Sequence, residues 1–192
     1  LPTDRSKNVF AVDPGEAKSG FAWLQLLAVP ARHPHSNLGA DDRCYDDSSD
    51  HRLHIRRCFT VSPWDLADYL ETNLWRADVL VIERFQLYPW MARQQGFSTF
   101  GTAESIGIYK RIAHKVGIPV HLQDASGNKK NGRRRARDWG FKMVDRKLGS
   151  GKFVYYGPDF DLPGKLDRRD AAAHACEFVG ATGLYEPRDV GS

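Results

Sequence analysis

Four acidic residues stand where their side chains could act together. The apolar run Val9-Phe10-Ala11-Val12 ends on Asp13, and a second apolar run, Val79-Leu80-Val81-Ile82, ends on Glu83. Asp167 and Asp170 precede Ala171-Ala172-Ala173-His174, and their i, i+3 spacing puts both on one face of a helix. Carboxylates gathered without a cation repel one another and push some pKa values up. A hard divalent ion and a phosphodiester would complete such a set. Each acid also has an ordinary explanation. A strand-terminal acid can face water, and the first turn of any helix favours negative charge.

A second group of residues points to phosphate. The stretch from Asn128 to Arg137 reads NKKNGRRRAR, with Lys129, Lys130, Arg133, Arg134, Arg135 and Arg137 and no acid. Concentrated positive charge beside a folded core is the electrostatic footprint of a nucleic-acid backbone site. The same run also reads as a solvated loop. Phe85, Tyr88 and Trp90 follow Glu83 closely; exposed, they could stack on bases, and buried, they are core. His174, one turn past Asp170, could face the same site but reads first as a core or third-shell histidine, and Asp124 reads as a turn residue. Cys44, Cys58 and Cys176 are scattered, with no CxxC pair, which speaks against structural zinc or a redox dithiol and for a reduced, intracellular setting.

The elements that must position these groups follow from hydrophobic period and breakers. Val9–Val12 reads as a buried strand, Pro14-Gly15 as a turn and Phe21–Ala28 as a second strand. Residues 30–52 carry no apolar period and read as a long polar insertion. Leu53–Val61 alternates as a half-exposed strand, making a three-strand antiparallel meander. Ser62 or Pro63 opens a helix through Leu74, Val79–Ile82 is a buried strand, Thr102–Lys115 a helix, and Ile118–Leu122 a short strand. The basic run is expected as a loop leading into a helix over Ala136–Leu148, and a last helix spans about Asp167–Gly180. This order gives an α/β layer with a mixed sheet in a single domain spanning residues 1–192.

The chain has 192 residues, 28 Lys+Arg against 24 Asp+Glu, a formal charge of +4 and 41% hydrophobic residues. That is ordinary globular composition and excludes disorder, collagen-like repeats and a disulfide-stapled scaffold. The longest apolar stretch, Phe21–Pro30, is far short of the roughly 20 residues of a membrane span, and residues 1–8 contain no signal-peptide core. The expectation is a soluble, cytoplasmic protein.

Taken in order, Val12-Asp13-Pro14-Gly15, the strand-ending Glu83, Gly117-Ile118-Pro119-Val120 with Lys129-Lys130 and Gly132 beyond it, and Asp167-x-x-Asp170-Ala-Ala-Ala resemble the RuvC-type Holliday-junction resolvases of the RNase H-like superfamily. The resemblance runs from about Val9 to Val179. It implies an RNase H-like fold, a mixed five-stranded sheet with an antiparallel three-strand meander, flanking helices, and neighbouring, parallel first and fourth strands. It implies a catalytic and metal-binding set of Asp13, Glu83, Asp167 and Asp170 around two Mg²⁺ ions, with Mn²⁺ as substitute and Asp13 as the bridging ligand. The activity implied is a structure-specific DNA endonuclease that cuts four-way junctions, leaving 5′-phosphate and 3′-hydroxyl ends. The six basic residues, with Phe85 and Tyr88, would then contact DNA, and two symmetric nicks imply a homodimer, with Thr102–Lys115 as the interface helix. Here Phe85 follows the glutamate by two residues rather than three, so the wedge aromatic stays unassigned. The 30–52 insertion and the long 86–100 segment look more like a bacteriophage-encoded member, which acts in the host cytoplasm and also takes flaps and forks.

Two other readings compete. An RNase H-like nuclease could act on RNA or an RNA–DNA hybrid, although the glutamate ending the fourth strand favours the RuvC type. A non-catalytic branched-DNA-binding protein would not need all four acids.

Overall fold

The computed structural model describes residues 6–27, 53–85, 98–139, 144–147, 153–156 and 165–185. The 30–52 insertion, Tyr88 and Trp90 lie outside them. Strands β1 (Lys7–Asp13), β2 (Ser19–Leu26), β3 (Leu53–Val61), β4 (Val79–Glu83) and β5 (Val120–Gln123) form one sheet in the order β3-β2-β1-β4-β5. β1, β2 and β3 are the antiparallel meander, while β4 runs parallel to β1 and β5 parallel to β4. Parallel neighbours require crossovers. Helix α1 (Pro63–Asn73) connects β3 to β4, and α2 (Ser98–Val116) lies between β4 and β5. Ser62 caps α1, its hydroxyl accepting the Asp65 amide at 3.2 Å, with Pro63 in the first turn, where its missing N–H costs no hydrogen bond.

Helices cover both faces of the sheet, so β1 and β4 are apolar on both sides. Side chains alternate along a strand, and the two cores sort accordingly. Phe10, Val12, Leu80 and Ile82 pack with Leu66, Leu70, Tyr109 and Ile112 of α1 and α2. Val9, Ala11 and Val81 pack on the opposite face with Ala136, Ala175, Cys176 and Val179 of α3 (Ala125–Asp138) and α4 (Lys165–Ala181). The period of two carries each strand's last residue to the α3/α4 side: Asp13 after Ala11, Glu83 after Val81, and Gln123 after His121, whose ring lies 5.0 Å from Phe178 of α4.

Two sequence expectations are corrected. The basic run is helix α3 rather than a loop, and no helix spans Ala136–Leu148: α3 ends at Asp138, and Val144–Lys147 (β6) pairs antiparallel with Phe153–Tyr156 (β7) in a separate hairpin. Asp124, expected in a turn, is the N-cap residue of α3, with extended backbone at φ −72°, ψ 146°. Gly132 is there for packing: a Cβ at this position would fall on the backbone carbonyl of Ala173. The missing side chain lets α3 and α4 cross closely, and tertiary contact outweighs glycine's low helix propensity.

Candidate active site

The register brings the strand ends together. Val12 pairs with Ile82, and Glu83 with Gln123, so Asp13, Glu83 and Gln123 form a row across three adjacent strands spaced about 4.8 Å apart. α4 lies over this row on the α3/α4 face, with Asp167 in its first turn. Gly20 of β2 sits against it so closely that a Cβ there would overlap the Asp167 backbone. α3 begins directly after β5 and adds Lys129.

The Lys129 ammonium is the point where the acids meet. Its Nζ lies 2.7 Å from Glu83 Oε2, 3.3 Å from Asp13 Oδ1 and 3.3 Å from Asp170 Oδ2. Asp170 also accepts a hydrogen bond from the Arg133 guanidinium, one helical turn further along α3. Asp167 stands one turn before Asp170 at the edge of the cluster. Burial, and then the Asp170 charge, raise its carboxyl, against the pull of Lys129 and Lys18. Three of the four expected acids therefore share one cation position, and Asp167 borders it.

Protons are unevenly divided. Burial raises Asp13 strongly, reinforced by its hydrogen bond to Glu83 and, against the pull of Lys129, by the charges of Glu83 and Asp170. Glu83 moves the other way. Burial alone would raise it, but hydrogen bonds from His174, Asp13 and Lys129 together hold it well below the usual carboxylate range. The carboxylates raise Lys129 despite its burial. One ammonium thus faces two carboxyls shifted in opposite directions, Glu83 down and Asp13 up.

His174 is a core histidine, as expected, and it also touches the acid cluster. Its ring is fully buried, with Nε2 3.1 Å from Glu83 Oε2 and Nδ1 2.7 Å from the Gln123 side chain. Gln123 carried no sequence signal beyond its place, one strand over from Glu83 and at the same level. His174 lies seven residues after Asp167 and four after Asp170, which puts it on the acidic face of α4; that spacing was the available clue.

The helical period also divides the basic residues. Lys129 and Arg133 face the acids, and Arg135 Nε donates to Glu177 Oε2 at 2.9 Å. Lys130, Arg134 and Arg137 are exposed. Phe85 is half-buried just beyond β4.

Among the described residues no three His, Cys, Asp or Glu side chains are already arranged as a metal-binding group; an ammonium stands at the point that three of the acids share. The donor set still fits a hard divalent ion. It is built of carboxylate oxygens, and the separations to Lys129 show that these oxygens already hold a cation in common.

The mixed five-stranded sheet with a meander, parallel β1–β4–β5 and flanking helices is an RNase H-like α/β fold. The same fold is found in Thermus thermophilus RuvC in complex with Holliday junction substrate, which superposes with a TM-score of 0.52 at 14% identity over 94% of this chain and 99% of that one. A second Thermus thermophilus RuvC structure superposes with a TM-score of 0.49 at 14% identity and the same coverage. No protein-family model and no curated protein matches the sequence. Among the described residues no helix is long and apolar enough to cross a membrane.

Proposed function

We propose that this protein is a metal-dependent, structure-specific DNA endonuclease that cuts four-way junctions and other branched DNA such as flaps and forks. The observation that carries the reading is the convergence of Asp13, Glu83 and Asp170, from three separate elements, on one cation position beside an exposed basic helix face. A purely structural role explains this poorly. Three largely desolvated carboxylates on one ammonium, Asp13 buried and Glu83 and Asp170 partly so, are costly to assemble compared with apolar packing, and such costs concentrate at functional sites.

In this reading Asp13, Glu83, Asp170 and the neighbouring Asp167 hold two Mg²⁺ ions, or Mn²⁺, whose chemistry is activation of water and stabilisation of charge on the scissile phosphate. The chain's own groups do the rest. Asp13, whose carboxyl is raised, would have to release to solvent any proton it holds in order to serve as a ligand, since a coordinating carboxylate must be ionised. Lys129 leaves the shared point and becomes a phosphate contact, being a flexible cation with three donors. Arg133 holds Asp170 in place, and Lys130, Arg134 and Arg137 run along the duplex backbone, neutralising phosphates without reading sequence. Resolution of a four-way junction needs two symmetric nicks, so the working species is a two-fold homodimer, with α2 as its interface helix.

The experiment is incubation with end-labelled four-way junction, flap, RNA–DNA hybrid and linear duplex, each with Mg²⁺ and with EDTA. Cutting of the branched DNAs only with metal is the expected result. Cutting of the hybrid alone would transfer the protein to RNA chemistry, and binding of junctions without cleavage would make it a scaffold.

A further inference from the structure

Glu83 is held from behind by a group that belongs to no expected ligand set. The His174 ring fills the space between β4, β5 and α4 without exposure, bridging Glu83 Oε2 at 3.1 Å and the Gln123 side chain at 2.7 Å. What the ring does depends on which nitrogen carries the proton, and its neighbours decide that. With its amide nitrogen towards the ring, Gln123 donates to Nδ1 at 2.7 Å and to the His174 backbone carbonyl at 3.2 Å, while its oxygen accepts from the Phe178 amide at 3.3 Å. The opposite orientation would set oxygen against the carbonyl and nitrogen against the amide N–H. The hydrogen-bond network therefore assigns the amide. Nδ1 is then an acceptor, and a neutral imidazole must carry its one proton on Nε2, the nitrogen aimed at Glu83.

We infer that His174, locked by Gln123 as the Nε2–H tautomer, is a positioning residue that fixes the orientation of the Glu83 carboxylate for cation binding. A carboxylate on one bond at the end of a strand samples several rotamers, whereas one that accepts a hydrogen bond from a packed ring does not. The ring can neither swing away nor present a lone pair, since Gln123 occupies Nδ1 and helix α4 fixes the side chain's root. Lys129 is a mobile partner of the same oxygen and His174 a permanent one. Partners of this kind behind a metal ligand change affinity by about 10- to 100-fold when removed.

The inference rests on Glu83 belonging to the metal-binding set, and the test separates the two. Mn²⁺ affinity of the full chain is measured by calorimetry for wild type, Glu83→Gln, His174→Leu, His174→Gln and Gln123→Leu, with the fold of each checked by thermal melting. The expected pattern is a large loss in Glu83→Gln, a loss of about 10- to 100-fold in His174→Leu, a smaller loss in Gln123→Leu, and recovery in His174→Gln, whose amide can donate from a similar place. Unchanged affinity in Glu83→Gln would overturn the active-site reading. A loss there with wild-type affinity in His174→Leu would overturn only the positioning role. Should His174→Leu fail to fold, nitrogen-15 NMR of the wild-type histidine ring decides. A proton-bearing Nε2 and an unprotonated Nδ1 near neutral pH support the assignment, and a proton on Nδ1 ends it.

Discussion

Lys129 Nζ lies 2.7 Å from Glu83 Oε2, an ion pair between the second turn of α3 and the last residue of β4. It joins an element expected to bind DNA to an element expected to bind metal. Because the same ammonium also reaches Asp13 and Asp170, it offsets, together with Arg133 on Asp170, the repulsion among the gathered acids.

Lys129→Met should therefore weaken the metal-free protein. Removing one partner of a fully buried ion pair costs about 3 kcal/mol, and this partly buried pair should lose less, because water compensates part of the remaining charge. Thermal melts in EDTA should show the loss. Mg²⁺ should then raise the melting temperature of the variant more than that of wild type, since no tethered cation competes. Equal melting of both proteins in EDTA would remove Lys129 from the site.

Asp13→Asn should abolish cleavage while leaving junction binding in gel shifts close to wild type, because Asp13 faces the acid cluster and not the exposed basic surface. Normal turnover in this variant would exclude Asp13 from the mechanism. Calorimetric Mg²⁺ titrations in buffers of different ionisation enthalpy should detect a proton released by wild type and none released by the variant.

The pH dependence of stability follows from the same groups. Asp13 has a raised pKa in the folded state, so the fold binds a proton that the unfolded chain releases, and stability falls as pH rises from about 4 through neutrality. Glu83 is lowered; its stabilisation is present above the ordinary glutamate range and is lost as pH falls below about 4. Denaturation midpoints in EDTA should decline from mildly acidic to alkaline pH, and the decline should flatten in Asp13→Asn.

The outward basic face can be separated from the inward one. Neutralising Lys130, Arg134 and Arg137 together should reduce the slope of log K against log salt for DNA binding by about 3, roughly one per lost phosphate contact. Arg135→Gln, which removes a partner of Glu177, should leave the slope unchanged and lower stability instead. A triple variant with a wild-type slope would show that this face is only solvated.

Gly132→Ala should destabilise the fold by about 2 kcal/mol or more, the cost of overpacking. The obstacle is the Ala173 backbone rather than a flexible side-chain tip. The same change would push α3 outward and draw Lys129 away from the acids, so weaker denaturation resistance in EDTA should accompany it. Wild-type stability would refute the close helix crossing.

Much of the scaffold could be read from the chain alone. Apolar runs ending in Asp13 and Glu83 marked two buried strands, and the DxxD spacing marked a helix with one acidic face. Local residue types are sufficient there because the strands' hydrophobicity and the helix's acid spacing survive into the fold. The direction of each strand-end side chain is different in kind. Val9–Val12 and Val79–Ile82 are apolar at every position, so alternation is invisible, and only the packing of α3 and α4 against one face decides that Asp13 and Glu83 point the same way. α3 likewise depends on a distant contact. Gly132 signals flexibility in isolation, and only the Ala173 carbonyl across the helix crossing shows why it must be glycine. The six basic residues specified their charge but not their company. The helical period turns Lys129 and Arg133 towards the acids and Lys130, Arg134 and Arg137 towards solvent, and no local pattern announces that split while the run is taken for a loop. His174 and Gln123 lie 51 residues apart, and their pairing depends on β5 lying beside β4 with α4 above both. Residue types settled what the site is made of, while long-range contacts settled which groups meet, because burial and register belong to the whole chain.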